Sequence, residues 1–202
     1  GFEREDPSGV YASSRAYSDA SGFNFGNVDF KSYDGLVVGY DSDVFSISGA
    51  FVNPTADRAL LETNDIDLEL SVVYTGIENF DIGVGYYFDN DADNKAEMDV
   101  LNFHASTMFG KFFVAAEYSE IKKESIDRDA YMVLADYDIS DKFGIAARLS
   151  SYEEGAGSDV DKLTIAPNYS ITDSLGLIVE YSDIESDQVD EEIVSVELTF
   201  TF

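Results

Sequence analysis

The stretch Val194-Ser-Val-Glu-Leu-Thr-Phe-Thr-Phe202 decides how the rest of the chain is read. Val194, Val196, Leu198, Phe200 and Phe202 alternate without exception with Ser195, Glu197, Thr199 and Thr201. A period of two places one set on each face of an extended strand. The stretch finishes on an aromatic residue, whereas the ends of water-soluble domains are usually polar and frayed. A strand with one face against lipid and a barrel to close accounts for both features.

Toward the N-terminus the same alternation recurs. With the last segment it gives eleven predicted strands at about 33–41, 44–52, 65–74, 79–88, 97–106, 111–120, 129–138, 142–152, 161–169, 174–183 and 191–202. The connections alternate in kind. Short ones fall at 42–43, 75–78, 107–110, 139–141 and 170–173, and longer polar ones at 53–64, 89–96, 121–128, 153–160 and 184–190. Every second strand starts about 32 residues after the last, so the repeat is one hairpin plus its long loop. A propeller or solenoid would carry Gly or Trp-Asp signatures or a helix per repeat, and none is visible. A soluble β-sandwich is the plain alternative. Short turns at one end and long acidic loops at the other favour an all-β fold, a transmembrane antiparallel β-barrel of the bacterial outer membrane.

Composition agrees. Among 202 residues, 41 are acidic and 12 basic, a formal net charge of −29. Nucleic-acid binding is disfavoured, because phosphates require Lys and Arg. Yet 45% of residues are apolar, too many for an acidic disordered tail. With no Cys there is no disulfide framework and no Cys-ligated zinc or iron–sulfur site. No apolar run approaches the roughly 18 residues of a membrane helix, but barrel strands need only about 9–11. The opening Gly-Phe-Glu-Arg-Glu-Asp does not read as a secretory leader, so the chain is expected to be mature or to lack its beginning.

The two faces differ in chemistry. In 65–74, Ile66, Leu68, Leu70, Val72 and Tyr74 oppose Asp67, Glu69 and Ser71; in 111–120, Phe112, Val114, Ala116 and Tyr118 oppose Ala115, Glu117 and Ser119. The apolar face is assigned outward, to hydrocarbon. Aromatics gather beside the short turns at Tyr40, Phe45, Tyr74, Phe80, Phe112, Tyr137, Phe143, Tyr169 and Phe202. A second set, Tyr33, Phe51, Phe88, Tyr118, Tyr131 and Tyr181, lies toward the long loops. Two such girdles mark two lipid–water interfaces. Ordinary strand propensity also enriches Tyr and Phe, but it does not place them at strand ends.

The stretch Tyr40-Asp-Ser-Asp-Val-Phe45, leading into the next strand, resembles general-diffusion porins just after their constriction loop. Asp43 stands where that family often has Pro. Residues 166–181 and the ending Leu198-Thr-Phe-Thr-Phe202 are similar too, so the resemblance covers about 23–202. It implies a porin whose eleven strands follow the constriction loop of a 16-stranded barrel, with about five strands upstream. A complete 12-stranded barrel is the other count, since bacterial barrels have even strand numbers. Residues 1–32 then form a loop segment, and 1–202 a single barrel domain with its strands in 33–202. The family's acidic Pro-Glu-Phe-Gly-Gly constriction motif is not found here. The resemblance further implies a homotrimer, embedded in outer-membrane lipid and lipopolysaccharide, whose C-terminal strand is read by the barrel-assembly machinery.

Taking the polar face as inward, the pore-lining candidates are the carboxylates Asp67, Glu69, Asp81, Glu117, Asp136, Glu180 and Glu197, the cations Arg148 and Lys162, and His104. Carboxylates in excess predict a weak preference for cations, and Arg148 is expected to pair with Glu117 or Glu180 across the pore. The function expected is passive diffusion of small hydrophilic solutes and ions, with no reaction, cofactor or metal. Asp-Asn-Asp-Ala-Asp-Asn at 89–94 resembles the start of a calcium loop but lacks its Gly and closing Glu, so a solvated loop is expected. The competing enzyme reading rests on Asn102, His104 and Ser106, a set similar to outer-membrane phospholipases. It is disfavoured because these residues face inward, while lipid substrates arrive from outside. A non-conducting structural or adhesin barrel is the third class.

Overall fold

The computed structural model describes residues 34–53, 67–89, 98–123, 126–154, 158–187 and 190–201. The loop segment predicted for 1–32, with Tyr33, and the loops at 53–64 and 89–96 lie largely or wholly outside these residues. The described residues form eleven strands: β1 (Asp34–Asp41), β2 (Phe45–Asn53), β3 (Asp67–Ile77), β4 (Phe80–Asp89), β5 (Met98–Phe109), β6 (Phe112–Lys123), β7 (Ile126–Asp138), β8 (Phe143–Glu154), β9 (Ser158–Thr172), β10 (Leu175–Ser186) and β11 (Asp190–Phe200). They make one sheet in strict chain order. Every neighbouring pair is antiparallel.

Local chemistry sets the five short turns. At one, Ser42 N donates to Phe45 O at 2.9 Å while Ser42 Oγ accepts from Phe45 N at 3.1 Å. The Ser140–Phe143 turn repeats this, at 3.0 Å and 3.1 Å. A hydroxyl two or three residues ahead of an amide closes the bend without glycine. The tighter turns use left-handed backbone at Asn79 (φ 58°) and Gly110 (φ 64°). Adjacent turns are tied sideways by Thr75 N to Val44 O (2.8 Å), Asp138 N to Lys111 O (3.0 Å) and Ser170 N to Lys142 O (2.8 Å).

Burial alternates along the strands. Tyr131, Val133 and Ala135 are exposed while Met132, Leu134 and Asp136 are buried; Ala147 and Leu149 are exposed while Arg148 and Ser150 are buried. With one sheet and no helix among the described residues, one face can be buried only if the sheet curls around it. The curled face is the polar one. Large apolar side chains stay outside, including Leu36, Val38, Leu70, Leu149, Val194 and Leu198. In water that surface would be a liability; in hydrocarbon it is the required one.

Two expectations need correction. The long polar loops placed at 121–128, 153–160 and 184–190 are mostly strand, since Lys123 pairs with Ile126, Glu154 with Ser158 and Glu185 with Asp190. Above the apolar band both faces meet water, so the alternation vanishes from the sequence while the backbone ladder continues. The inward face is also not uniformly polar: Val100, Ala115, Met132, Leu134, Ala146, Ala166 and Ile178 cluster on it, with Tyr87 and Phe113 packed against them.

Leu149 stands outward and 60% exposed, between aromatic ends of the band. Leu149→Arg is expected to destabilise the bilayer-inserted protein by about 2–4 kcal/mol if the site lies at mid-depth. Urea unfolding in phospholipid vesicles reads this, and a neutral result would place the face in water.

Candidate functional site

Strand register assembles the predicted interior residues into a compact patch. His104, Glu117, Met132, Ser150 and Lys162 are successive lateral neighbours across β5 to β9. The next inward row runs Ser106, Ala115, Leu134, Arg148, Thr164 and Ser182. The row after that carries Phe113, Asp136, Ala146 and Ala166. Neighbouring strands lie roughly 4.8 Å apart and alternate residues roughly 6.7 Å apart, so five charges share one area of wall on β6–β10.

Glu117, Asp136, Arg148, Lys162 and Glu180 are all at least nine-tenths buried; Arg148 is only 2% exposed. Desolvating a charge costs several kcal/mol unless neighbours compensate it. Most of that cost is met here: Glu117, Asp136, Arg148 and Lys162 are all engaged by other groups, and Glu180 Oε1 accepts from Ser182 while its Oε2 is buried without a hydrogen bond. Arg148 Nη2 donates to Thr164 Oγ1 at 3.5 Å, and Thr164 Oγ1 lies 3.2 Å from Ser182 Oγ, which donates to Glu180 Oε1 at 3.1 Å. Arg148 and Glu180 are therefore linked through two hydroxyls. The sequence suggests a pair across the pore; the link described here runs along the wall, through Thr164 and Ser182. The charged groups are set into the wall, beside Met132 and Leu134, rather than standing free in a wide lumen.

On β5 and β6 a second network forms. Asn102 Nδ2 donates to Glu117 Oε1 and to Ser119 Oγ (2.9 Å), and Asn102 Oδ1 lies 3.1 Å from His104 Nδ1. Both amide hydrogens are committed to oxygens, so the amide oxygen faces the ring and His104 Nδ1 carries the proton. The Nε2 edge of the ring lies over Gly83 of β4, in the space a side chain there would need. Asn102 thus orients His104 as a catalytic triad would require, but Nε2 points across to β4 rather than down β5 toward Ser106. Asp81 is exposed, and Glu197 and His104 are half-buried on the inward face. The side chains of Asp67 and Glu69 lie outside the described residues.

The aromatics near the short turns stand on the outward face. Tyr40, Tyr74, Phe112, Phe143 and Tyr169 are exposed, and Phe45, Phe80 and Tyr137 half-buried, near the short turns. Rings pair there: Tyr40 with Phe45 at 6.0 Å and Phe112 with Tyr137 at 4.4 Å. Phe202 lies outside the described residues. At the other end, Tyr86 donates to Asp99 Oδ1 (3.1 Å) and Tyr118 to Asp129 Oδ1 (2.7 Å). Each acid sits two residues beyond the cross-strand partner of its tyrosine, an interstrand diagonal that needs known register to be seen.

Sheet order, outward apolar face and inward charge together describe one kind of molecule. A family model described as Gram-negative porin matches residues 14–189. The chain belongs to the Gram-negative porin family. It is an outer-membrane barrel protein, and its family and fold are those of a channel. Solved structures with the same fold include a refined porin structure (TM-score 0.72, 16% identity), covering 87% of this chain and 64% of that one. OmpT of Vibrio cholerae in a trimer form matches at TM-score 0.61 and 18% identity, with 90% and 64% covered. An anion-selective porin from Comamonas acidovorans matches at 0.63 and 12%, with 83% and 55% covered. The porin thus spans less than two thirds of each of these three structures. No curated protein sequence matches it significantly.

Removing a buried, compensated charge leaves its partners exposed to the same desolvation cost. Arg148→Ala is expected to lower stability by about 3–5 kcal/mol. Thermal unfolding in detergent, followed by the loss of β-sheet circular dichroism, measures it. An unchanged midpoint would mean that Arg148 is solvated.

Proposed function

We propose that this porin is a passive diffusion channel for small hydrophilic solutes and ions with a weak preference for cations. The observation that carries the reading is the sign of the inward face. Among the described side chains, Asp81, Glu117, Asp136, Glu180 and Glu197 outnumber Arg148 and Lys162. A low-dielectric wall focuses the field of such charges into the aqueous path, raising the local concentration of counter-ions. The anion-selective relative shares the fold at low identity, so its selectivity does not carry over.

The outer edges of β1 and β11 each lack a hydrogen-bonded neighbour among the described strands. Hydrocarbon tolerates no open sheet edge, which supports closure by further strands to an even number, sixteen by resemblance. Assembly as a homotrimer is supported by the trimeric Vibrio cholerae relative. Lipopolysaccharide is the natural outer contact, its anionic groups bridged by divalent cations to carboxylates near the long loops. The barrel-assembly machinery would read the C-terminal strand.

Purified porin reconstituted into a planar bilayer under a KCl gradient is expected to open in steps, with a reversal potential favouring potassium. Chloride preference would overturn the selectivity reading. A silent bilayer would overturn the channel reading in favour of a structural barrel.

A further inference from the structure

We infer that His104, with Asn102 and Glu117, forms a proton-responsive selectivity element on the channel wall. The inference rests on the diffusion-channel reading above. His104 is the single histidine of the chain. Imidazole is the one side chain whose ordinary titration falls between pH 5 and 8. It stands on the inward face, half-buried, where a change of charge is felt by passing ions.

The charge around the ring favours the added proton. Nδ1 is already bonded to Asn102 Oδ1 at 3.1 Å, so protonation adds a hydrogen at Nε2, on the edge that lies over Gly83. Gly83 has no side chain to oppose it. The charged groups facing the ring are Glu117, its direct partner on β6, and Asp81 on β4, the partner of Ser106 one position further along the inward face. Among the described strands flanking β5, no cation faces the ring: Arg148 and Lys162 stand on β8 and β9. Asn102 also donates to Glu117 Oε1, so the amide is polarised by the carboxylate in the sense that strengthens its bond to a charged ring.

At pH 8 this part of the wall carries Glu117 and Asp81 with a neutral ring. At pH 5 the imidazolium offsets one of those carboxylates. A unit charge about 5 Å from an ion path, screened by salt, changes the local concentration of each monovalent ion by about twofold, in opposite directions for potassium and chloride, and so their permeability ratio by about fourfold. Preference for cations should therefore weaken on acidification.

The test uses the full chain without a histidine tag. Reversal potentials under a KCl gradient are measured at pH 8 and pH 5 for the parent protein and His104→Gln. The parent ratio is expected to fall about fourfold, and the variant's to stay nearly constant. Carboxylates that titrate near the acid end affect both proteins alike, so the difference isolates the imidazole. Conducting channels with equal pH responses in both proteins would overturn the inference while leaving the channel reading intact. A second readout is independent of conduction: the single imidazole signal in the NMR spectrum of micellar protein. A ring that titrates between pH 5 and 8 supports the inference. A ring held in one protonation state across that range overturns it, even where bilayers are silent.

Discussion

A peptide group in hydrocarbon has no water to bond with, and each unpaired N–H or C=O there costs several kcal/mol. That constraint dictates the architecture of this chain more than any single side chain does. Ten antiparallel ladders join the eleven strands in chain order, each hairpin handing its free edge to the next. The ladders do not stop where the apolar band stops. They run on through Lys123–Ile126 and Glu154–Ser158, where both faces are wet and only the backbone keeps the strands together. The turns at the other end join the same scheme, because Val44, Lys111 and Lys142 each offer a carbonyl to the neighbouring strand.

Once the backbone is satisfied, alternation assigns side chains to two solvents. The outward set is governed by lipid, and little distinguishes Leu from Val or Phe there. The inward set carries the individuality of the molecule, and it is uneven around the wall. On β1–β4 it includes many small residues, Gly39, Ser46, Ser48, Ser71, Gly83 and Gly85, beside Asp81 and Tyr87; on β6–β10 it is long and charged, with Glu117, Asp136, Arg148, Lys162 and Glu180. The buried charge of the described wall lies on β6–β10. Its members are buried among Met132, Leu134 and Ile178, and hydroxyls such as Thr164 and Ser182 connect them. Such a wall is rigid, because each charge depends on the positions of its neighbours.

The same rigidity separates this molecule from a hydrolase built on similar residues. A nucleophile must lie against the base nitrogen that takes its proton. Here Asn102 sets the ring of His104, and the absence of a side chain at Gly83 draws Nε2 across to β4.

The strands and their outward apolar face were legible in the sequence, because a period of two survives wherever one face meets lipid. Val194 to Phe200 illustrate it, with Val194, Val196, Leu198 and Phe200 all exposed. Strand ends above the membrane were not legible, since residues such as Asp159 and Glu185 carry no alternation once both faces are hydrated. Nor could the sequence show that Met132 and Leu134 pack inward beside Arg148. Alternation names a residue's face but not its lateral neighbour. That neighbour follows from register, which the turns and the complete ladder settle together. Only the folded sheet therefore decided that Asn102 joins His104 to Glu117, and that Thr164 and Ser182 join Arg148 to Glu180.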